Sequence, residues 1–519
     1  MAHDNARPIV WSVAGSDSGG GAGLQADLRA FDAFGVHGCT AVAAITAQNS
    51  VAVREVQAVS PQLLDAQLAA LADDLPPRAV KTGLLGSADN VRVLARWVCR
   101  LRERAPVALV VDPVWRASTG AAMSDDELRR VLRDELLPLA TVVTPNRAEA
   151  AWLLGLDRLP DEAALRDAAR SLGAAAAVIT GGDDAQAVAR DWLWSPQVEG
   201  WLTLPTVPTP HTHGTGCCFA ASLAAALALG FCEADAAVLA KMATARALHE
   251  AQAAGAGAGP VRPQARFACD ASLLPELLPA ADAPPLCFPP IADGPLGLYA
   301  VVDSADWVAR VAAAGVRTVQ LRIKQAPADV LHAQVRDAVA AARRYGARLF
   351  VNDHWQLALK YRAYGVHLGQ QDLEEADLPA LATAGLRLGV SSHAPWEVAR
   401  AWALKPSYIA CGPIYATRTK DMPWTPQGEH NLAYWCALLP LPVVAIGGLD
   451  PARAREAARC GADGIAVLSG IRDAVRPEAA ILAYRRAVAA GWRAPRRMAP
   501  VLPIPTLAAG EKVAESLPA

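Results

Sequence analysis

Eight short apolar runs recur in the C-terminal half of the chain, at 298–302, 318–321, 348–351, 365–368, 386–390, 408–411, 442–446 and 464–467. Helix-like stretches fall between most of them. A parallel strand pair needs a long crossover, so strands alternating with helices imply a parallel sheet. Eight such units in about 200 residues is the small end of a (β/α)8 barrel. An open doubly wound sheet is the alternative reading of the same pattern. The barrel is favoured because polar residues crowd just after the runs, at the end where a barrel keeps its site.

The N-terminal half alternates less evenly. Strand-like runs stand at 8–14, 39–45, 79–82, 108–111, 141–143 and 176–179, and helical patterns at 61–72, 88–104 and 162–172. The expectation is a largely parallel sheet covered on both faces. Between the halves, residues 253–259 are only Ala and Gly, and Pro275, Pro279, Pro284, Pro285, Pro289, Pro290 and Pro295 follow. Such a stretch breaks regular structure and reads as a connector. Pro500, Pro503 and Pro505 mark a loosely ordered tail. The division is therefore a first body at 1–270, a linker at 271–295, a second body at 296–492 and a tail at 493–519.

Lys and Arg total 49 against 51 Asp and Glu, a formal charge of −2. That balance argues against a nucleic-acid coat or an acidic-lipid binder. No basic segment followed by an apolar one opens the chain, and the apolar stretch 219–231 is too short for a membrane span. The ten cysteines form no CxxC pair and read as reduced thiols of a cytoplasmic protein. This excludes a disulfide scaffold and a zinc ribbon. Nothing in the sequence fixes the oligomeric state, and a homo-oligomer is compatible with it.

Chemistry in the first body starts at Gly15-Ser16-Asp17-Ser18-Gly19-Gly20-Gly21-Ala22-Gly23, five glycines in nine residues after the first strand. Glycine lets backbone approach a ligand closely. Taken alone, the stretch is equally an ordinary turn, and it is not a Walker A loop. Gly214-Thr215-Gly216-Cys217 precedes a small-residue apolar run that should form a buried helix. Backbone N–H groups at a helix N-terminus favour an anion, and a thiol there should have a lowered pKa.

Together with Gln25-Ala26-Asp27, Ala47-Gln48-Asn49, Lys81-Thr82-Gly83-Leu84, Thr144-Pro145-Asn146, Glu149 and His213, these residues resemble hydroxymethylpyrimidine (HMP) phosphate kinase, across nearly all of 1–270. The resemblance implies a ribokinase-like α/β sandwich that phosphorylates HMP and HMP phosphate with Mg-ATP. It implies that Gly214, Thr215 and Gly216 hold the transferring phosphoryl group, with Cys217 as the base near the accepting oxygen. Gly15 would line the substrate site, and Asp27 and Gln48 would bond the aminopyrimidine edge. Asp112 and Glu149 would act around Mg2+. The chain departs from the family where Thr180-Gly181-Gly182 stands in place of the common Lys-Gly-Gly.

In the second body Gln320, Arg322 and Lys324 alternate at the end of a strand, so they share one side. Two cations and an amide suit a diphosphate, though a solvated strand end has the same pattern. Asn352-Asp353 and Gly369-Gln370-Gln371-Asp372 end the next two strands, and two aspartates from adjacent strands make a plausible Mg2+ site. Thr417-Arg418-Thr419-Lys420, Gly447-Gly448 and Ser469-Gly470 follow strands six, seven and eight, where barrels commonly bind phosphate. With Val366-His367-Leu368, Gly389-Val390-Ser391, Gly412-Pro413 and Ala445-Ile446, these motifs resemble thiamine phosphate synthase over 296–475. That family joins HMP diphosphate to a thiazole phosphate and releases pyrophosphate. The resemblance implies that Gln320, Arg322, Lys324, Asn352 and Lys420 bind the diphosphate, with Lys420 assisting catalysis. Asp353 and Asp372 would hold Mg2+, Ser391 would contact the pyrimidine, and Thr417, Thr419, Gly447 and Ser469 would hold the thiazole phosphate.

The sequence thus points to a bifunctional enzyme of thiamine biosynthesis acting on small phosphorylated molecules. A pyridoxal- or sugar-type kinase is opposed by Cys217 and Gln48. A kinase joined to a non-catalytic sensing barrel is opposed by the set Arg322, Lys324, Asp353, Asp372 and Lys420.

Overall fold

The computed structural model describes residues 7–115, 126–181, 187–292, 294–417 and 423–507. The chain forms two compact units, one running to Ala283 and the other from Pro284 to Leu507.

The first unit is built on a ten-stranded sheet: β1 (Ile9–Asp17), β2 (His37–Gln48), β3 (Val53–Ala58), β4 (Ala79–Thr82), β5 (Ala108–Val111), β6 (Val142–Val143), β7 (Ala177–Ile179), β8 (Val188–Trp194), β9 (Glu199–Pro205) and β10 (Glu276–Leu278). Their order is β10-β9-β8-β7-β6-β5-β4-β1-β2-β3. The centre, from β7 to β2, is parallel. The edges β3 and β8 to β10 are antiparallel. Trp11, Val80, Leu109, Val111 and Val143 are fully buried in the centre, as strands covered on both faces require. The parallel core lies where the apolar runs place it; the antiparallel edges carry weaker patterns. β3, Val-Arg-Glu-Val-Gln-Ala, is exposed along most of its length.

β10 falls within the stretch read as a linker, where it extends the sheet by pairing Leu277 with Leu202. The Ala/Gly run before it is also part of the first unit, with the Gly257 amide donating to Ser50 Oγ (3.1 Å) and the Gly259 amide to His211 Nδ1 (3.2 Å).

Helix Thr215–Ala228 is buried on nearly every side because its residues are almost all small or apolar. Helix Ala88–Arg102 is amphipathic and starts at the Ser87 cap. On its buried face, the Asn90 amide nitrogen lies 2.9–3.2 Å from the carbonyls of Ala43, Val59 and Leu85.

The second unit is a closed parallel barrel of β11 (Gly297–Val302), β12 (Thr318–Leu321), β13 (Arg348–Asn352), β14 (Gly365–Leu368), β15 (Arg387–Ser392), β16 (Tyr408–Cys411), β17 (Val443–Ile446) and β18 (Gly464–Val467), with β18 pairing back onto β11. Tyr299, Val301, Phe350, Tyr408, Ala410, Val444 and Ala466 form one buried cluster. Gly389 makes room for it, since a Cβ there would lie 2.0 Å from Tyr408 Cζ. The tail expected to be loose is fixed as far as Leu507: Thr506 Oγ1 donates to the His393 carbonyl (2.8 Å) and Asn431 Nδ2 to the Ile504 carbonyl (2.9 Å). Local composition carries no sign of such distant partners. Among the described residues, no helix is long and apolar enough to cross a membrane.

Asn90→Ala strands three carbonyls without their donor. It is expected to destabilise the first unit by about 2 kcal/mol, read as an earlier midpoint for that unit in urea denaturation of the full chain.

Candidate active sites

In the first unit, chemistry gathers where a glycine-rich loop meets a helix N-terminus. Asp17, the last residue of β1, gathers the loop: its carboxylate accepts the amides of Gly19 (2.8 Å), Gly21 (3.0 Å) and Ala22 (2.8 Å). His213 Nε2 lies 3.0 Å from Asp17 Oδ2 and 3.4 Å from Gln48 Nε2. Burial works to raise the Asp17 carboxyl, but the His213 hydrogen bond and charge and the loop amides outweigh it, leaving Asp17 below its usual range. Gly214 caps helix Thr215–Ala228 with φ 83°, and a Cβ there would meet the Gly21 carbonyl oxygen at 2.1 Å. Loop and helix start are therefore in direct backbone contact. Gly15 lies at a register shift in β1. Ser18 Oγ donates to the Gln48 carbonyl (2.6 Å), tying the loop to β2.

Beneath the loop lies a buried ionic cluster. Lys81 of β4, fully enclosed, donates to both oxygens of Asp27 at 3.0 and 3.1 Å and lies 3.4 Å from Asp112 Oδ2. Ser12 Oγ adds a 2.5 Å hydrogen bond to Asp27. Burial works against the ammonium; the charges of Asp27, Cys217 and Asp112 overcome it and hold Lys81 protonated above the usual lysine range. Burial pushes Asp112 up, Lys81 pulls it down and Asp27 adds to the rise.

Several expectations change here. Asp27 does not present itself to a pyrimidine: it is 0% exposed and both oxygens are engaged inside the protein. Cys217 does not have a lowered pKa. Burial pushes its thiol up to about 12, with Lys81 opposing and Asp112 and Asp27 adding, so desolvation exceeds the pull of the helix N-terminus. Glu149 closes a capping box, its Oε2 accepting the Asn146 amide (2.8 Å) while its own amide donates to Asn146 Oδ1. Asp112 is held by an ammonium. Glu149 is thus occupied as a cap, whereas Asp112 Oδ2, beside that ammonium, is buried with no hydrogen-bond partner; among the described residues no group of three or more His, Cys, Asp or Glu could hold a metal ion. Near Thr180, a buried Lys241–Asp191 pair (2.7 Å) stands where Asp191 also accepts the Gly181 amide (3.1 Å). Gly182 lies outside the described residues.

In the second unit, the parallel strands bring the expected residues to one rim of the barrel. Arg322 and Lys324 follow β12, Asn352 ends β13 and Asp353 follows it. Asp372 lies just after β14, Ser391 sits in β15, and Thr417, Gly447 and Ser469 follow β16, β17 and β18. Thr419 and Lys420 lie outside the described residues. Asp353 adopts φ 61°, a strained conformation for a residue with a side chain. Burial, then the Asp372 charge, push its carboxyl up to about 6, while Arg322 pulls it down. Asp372 Oδ2 accepts the Gly369 amide (2.8 Å). Two carboxylates held together at a rim, beside one arginine, suit a hard divalent cation completed by phosphate oxygens.

Gln320 is the correction in this unit. It is buried at 5% exposure below the rim, with its amide nitrogen 3.5 Å from the Tyr299 hydroxyl, so it faces the interior and not a diphosphate. Sequence reading assigned no role to Asp17, Lys81, His213, Tyr299, His367 or Tyr408. A lysine inside the apolar strand Ala79–Thr82 was the visible signal for Lys81.

Asp353 is expected to titrate near pH 6 by carboxyl 13C NMR. Asp372→Asn should return it toward the usual carboxylate range, and added Mg2+ should lower the midpoint in the parent chain. A midpoint near 4 in all three samples would remove the paired-carboxylate site.

Comparison with known proteins covers both units. Residues 17–262 match the family model described as phosphomethylpyrimidine kinase, and residues 298–471 that of thiamine monophosphate synthase. Over 487 residues the chain is 34% identical to the "probable thiamine biosynthetic bifunctional enzyme, chloroplastic" of Oryza sativa subsp. japonica, covering 90% of this chain and 86% of that one. It is 46% identical over 260 residues to the hydroxymethylpyrimidine/phosphomethylpyrimidine kinase of Synechococcus elongatus, covering 49% of this chain and 96% of the relative. It is 54% identical over 180 residues to the thiamine-phosphate synthase of Serratia proteamaculans, covering 34% of this chain and 85% of the relative.

Proposed function

The chain belongs to the family of bifunctional thiamine biosynthetic enzymes, and from that premise we propose how its residues divide the work. The first unit, ribokinase-like, is the hydroxymethylpyrimidine/phosphomethylpyrimidine kinase, and the barrel is the thiamine phosphate synthase. The observation that carries the assignment is the match to one bifunctional relative across both units.

In the kinase, ATP donates a phosphoryl group to HMP phosphate, giving HMP diphosphate and ADP. Phosphoryl transfer depends on positioning and on neutralised charge. The backbone N–H groups at Thr215, Gly216 and Cys217 face the transferring group. Gln48, whose side-chain nitrogen lies 3.4 Å from His213 Nε2, meets the aminopyrimidine edge beside Gly15. Lys81 supplies fixed positive charge below Asp112. Glu149 caps its helix, while Asp112, whose buried Oδ2 has no hydrogen-bond partner, would hold Mg2+, which when bound neutralises phosphate charge.

In the synthase, the C–O bond between the pyrimidine methylene and the diphosphate breaks, and the thiazole nitrogen takes the methylene carbon. Arg322, Lys324, Asn352 and Lys420 hold the departing diphosphate. Thr417, Thr419, Gly447 and Ser469 hold the thiazole phosphate, and Ser391 meets the pyrimidine. Asp353 and Asp372 fit Mg2+, which when bound neutralises charge on the leaving group. Electrostatic preorganisation of this kind is where such a reaction gains most. The scattered cysteines, which form no CxxC pair, support the reading of a reducing, cytoplasmic setting.

The protonated state of Cys217 bears on which acceptor needs it. A phosphate monoester loses its second proton near pH 6, so HMP phosphate attacks already ionised. The alcohol of free HMP needs a base. A protonated thiol is no base at neutral pH, so Cys217→Ala should slow phosphorylation of HMP and of HMP phosphate alike by less than about tenfold at about pH 7, and the loss with HMP should grow toward high pH, where the parent thiol ionises.

A coupled assay with HMP phosphate, thiazole phosphate, ATP and magnesium should give thiamine phosphate. Asp372→Ala should cut product by about 100-fold with the kinase rate kept. Supplying HMP diphosphate directly separates a silent kinase from a silent barrel. Pyridoxal and ribose, tested as acceptors in parallel, should be poor ones.

A further inference from the structure

The barrel interior holds one continuous chain of polar side chains, contributed by five different strands. Gln320 Nε2 on β12 lies 3.5 Å from the Tyr299 hydroxyl on β11. That hydroxyl is 2.8 Å from the Tyr408 hydroxyl on β16. Tyr408 is 2.8 Å from His367 Nδ1 on β14, and His367 Nε2 is 2.9 Å from Ser391 Oγ on β15. Tyr299, Tyr408 and Gln320 are buried, His367 is 7% exposed, and Ser391 alone reaches partial exposure at the rim.

We propose that this chain is a directional relay that fixes the His367 tautomer and makes Ser391 a hydrogen-bond donor toward a ring nitrogen of the pyrimidine substrate. The proposal rests on the synthase reading of the barrel and deepens it.

The direction follows from donor and acceptor counting. An amide nitrogen only donates, so the Tyr299 oxygen accepts from Gln320. The Tyr299 proton then points at Tyr408, its remaining partner in the chain. Tyr408 cannot point its own proton back at Tyr299, so it donates to His367 Nδ1. A neutral imidazole that accepts at Nδ1 carries its proton at Nε2 and donates to Ser391 Oγ. The Ser391 hydroxyl proton is left free to point out of the chain, toward the barrel mouth. The Ser391 backbone is fixed as well, because Gln370 Nε2 donates to its carbonyl (2.8 Å).

A serine whose oxygen already accepts from histidine recognises an acceptor best. The 4-amino group of the pyrimidine is a donor; its ring nitrogens are acceptors. The relay thus selects a heteroaromatic ring with a nitrogen lone pair at that position. It also gives Tyr299 and Tyr408 positioning roles, since neither reaches the rim.

Two measurements test this. The tautomer of His367 is read by NMR in full-length protein with 15N-labelled histidine, the resonance being assigned with His367→Gln. The Nε2–H form is expected; the Nδ1–H form or the imidazolium overturns the relay. In Tyr408→Phe the two neutral tautomers should mix, whereas an unchanged Nε2–H population would show that Tyr408 does not set it. The second measurement compares HMP diphosphate with its two analogues in which one ring nitrogen is replaced by C–H. One analogue should show a kcat/KM lower by about 10- to 100-fold in the parent chain. That penalty should shrink to within about threefold in Ser391→Ala and narrow in Tyr408→Phe. Equal use of all three substrates by the parent chain overturns the acceptor assignment. Absence of product from HMP diphosphate itself overturns the functional reading and the ligand half of the proposal with it, while the tautomer, measured in protein alone, still judges the relay.

Discussion

A charge or hydroxyl removed from water must find a partner, and each unit is arranged round that demand. In the first, Lys81 stands inside a fully buried strand. Its ammonium is tolerated because Asp27 from helix Gly23–Phe34 and Asp112 at the end of β5 converge on it. Removing one member of such a group leaves an uncompensated charge, a cost of about 3–5 kcal/mol. The cluster thereby locks two strands and a helix at one spot, and Cys217 is set down above it. In the barrel the corresponding role falls to hydroxyls and an imidazole, which satisfy one another across five strands. Burial pushes His367 down to about 4, with the nearby Arg322 charge acting in the same sense, so the ring stays neutral and can both accept and donate.

Above these interiors, close backbone contact shapes the surfaces that meet substrate. A Cβ on Gly21 would lie 2.2 Å from the His213 ring, and one on Gly214 would collide with Gly21 itself. Glycine at both positions lets loop and helix start share one wall. Asp17 then holds three loop amides, so that these do not compete with the first turn of helix Thr215–Ala228. Dipoles fixed in this way cost no reorganisation when charge moves.

The parallel strands were legible because most are short, mainly apolar runs between helices. All eight barrel strands start within one residue of the run that announced them, and Thr318–Leu321, Gly365–Leu368, Tyr408–Cys411 and Gly464–Val467 match at both ends. The antiparallel edges were not legible. β3 is exposed on both faces along most of its length, and β10 is three residues long amid prolines. Candidate residues were visible wherever a motif surrounded them, but their partners were not. Asp27 and Lys81 are 54 residues apart, and no local pattern tells a carboxylate that binds substrate from one that neutralises a buried lysine. The same limit explains Gln320. Alternation placed it on one side with Arg322 and Lys324, yet it lies inside the strand, where its side of the sheet is the barrel core and not the rim. The sign of the Cys217 shift depended on how much water the fold excludes, a property of the finished interior.

That shift fits the chemistry of the acceptor. A thiolate beside Asp27 and Asp112 would add negative charge to a cluster whose two carboxyls burial already pushes up. Desolvation removes the difficulty by keeping the thiol protonated. A protonated thiol can still donate a weak hydrogen bond to an ionised phosphate oxygen. The cost falls on neutral alcohols, which require a proton acceptor that this site holds only at high energy. The balance of burial against charge around Lys81 therefore decides whether Cys217 carries a proton.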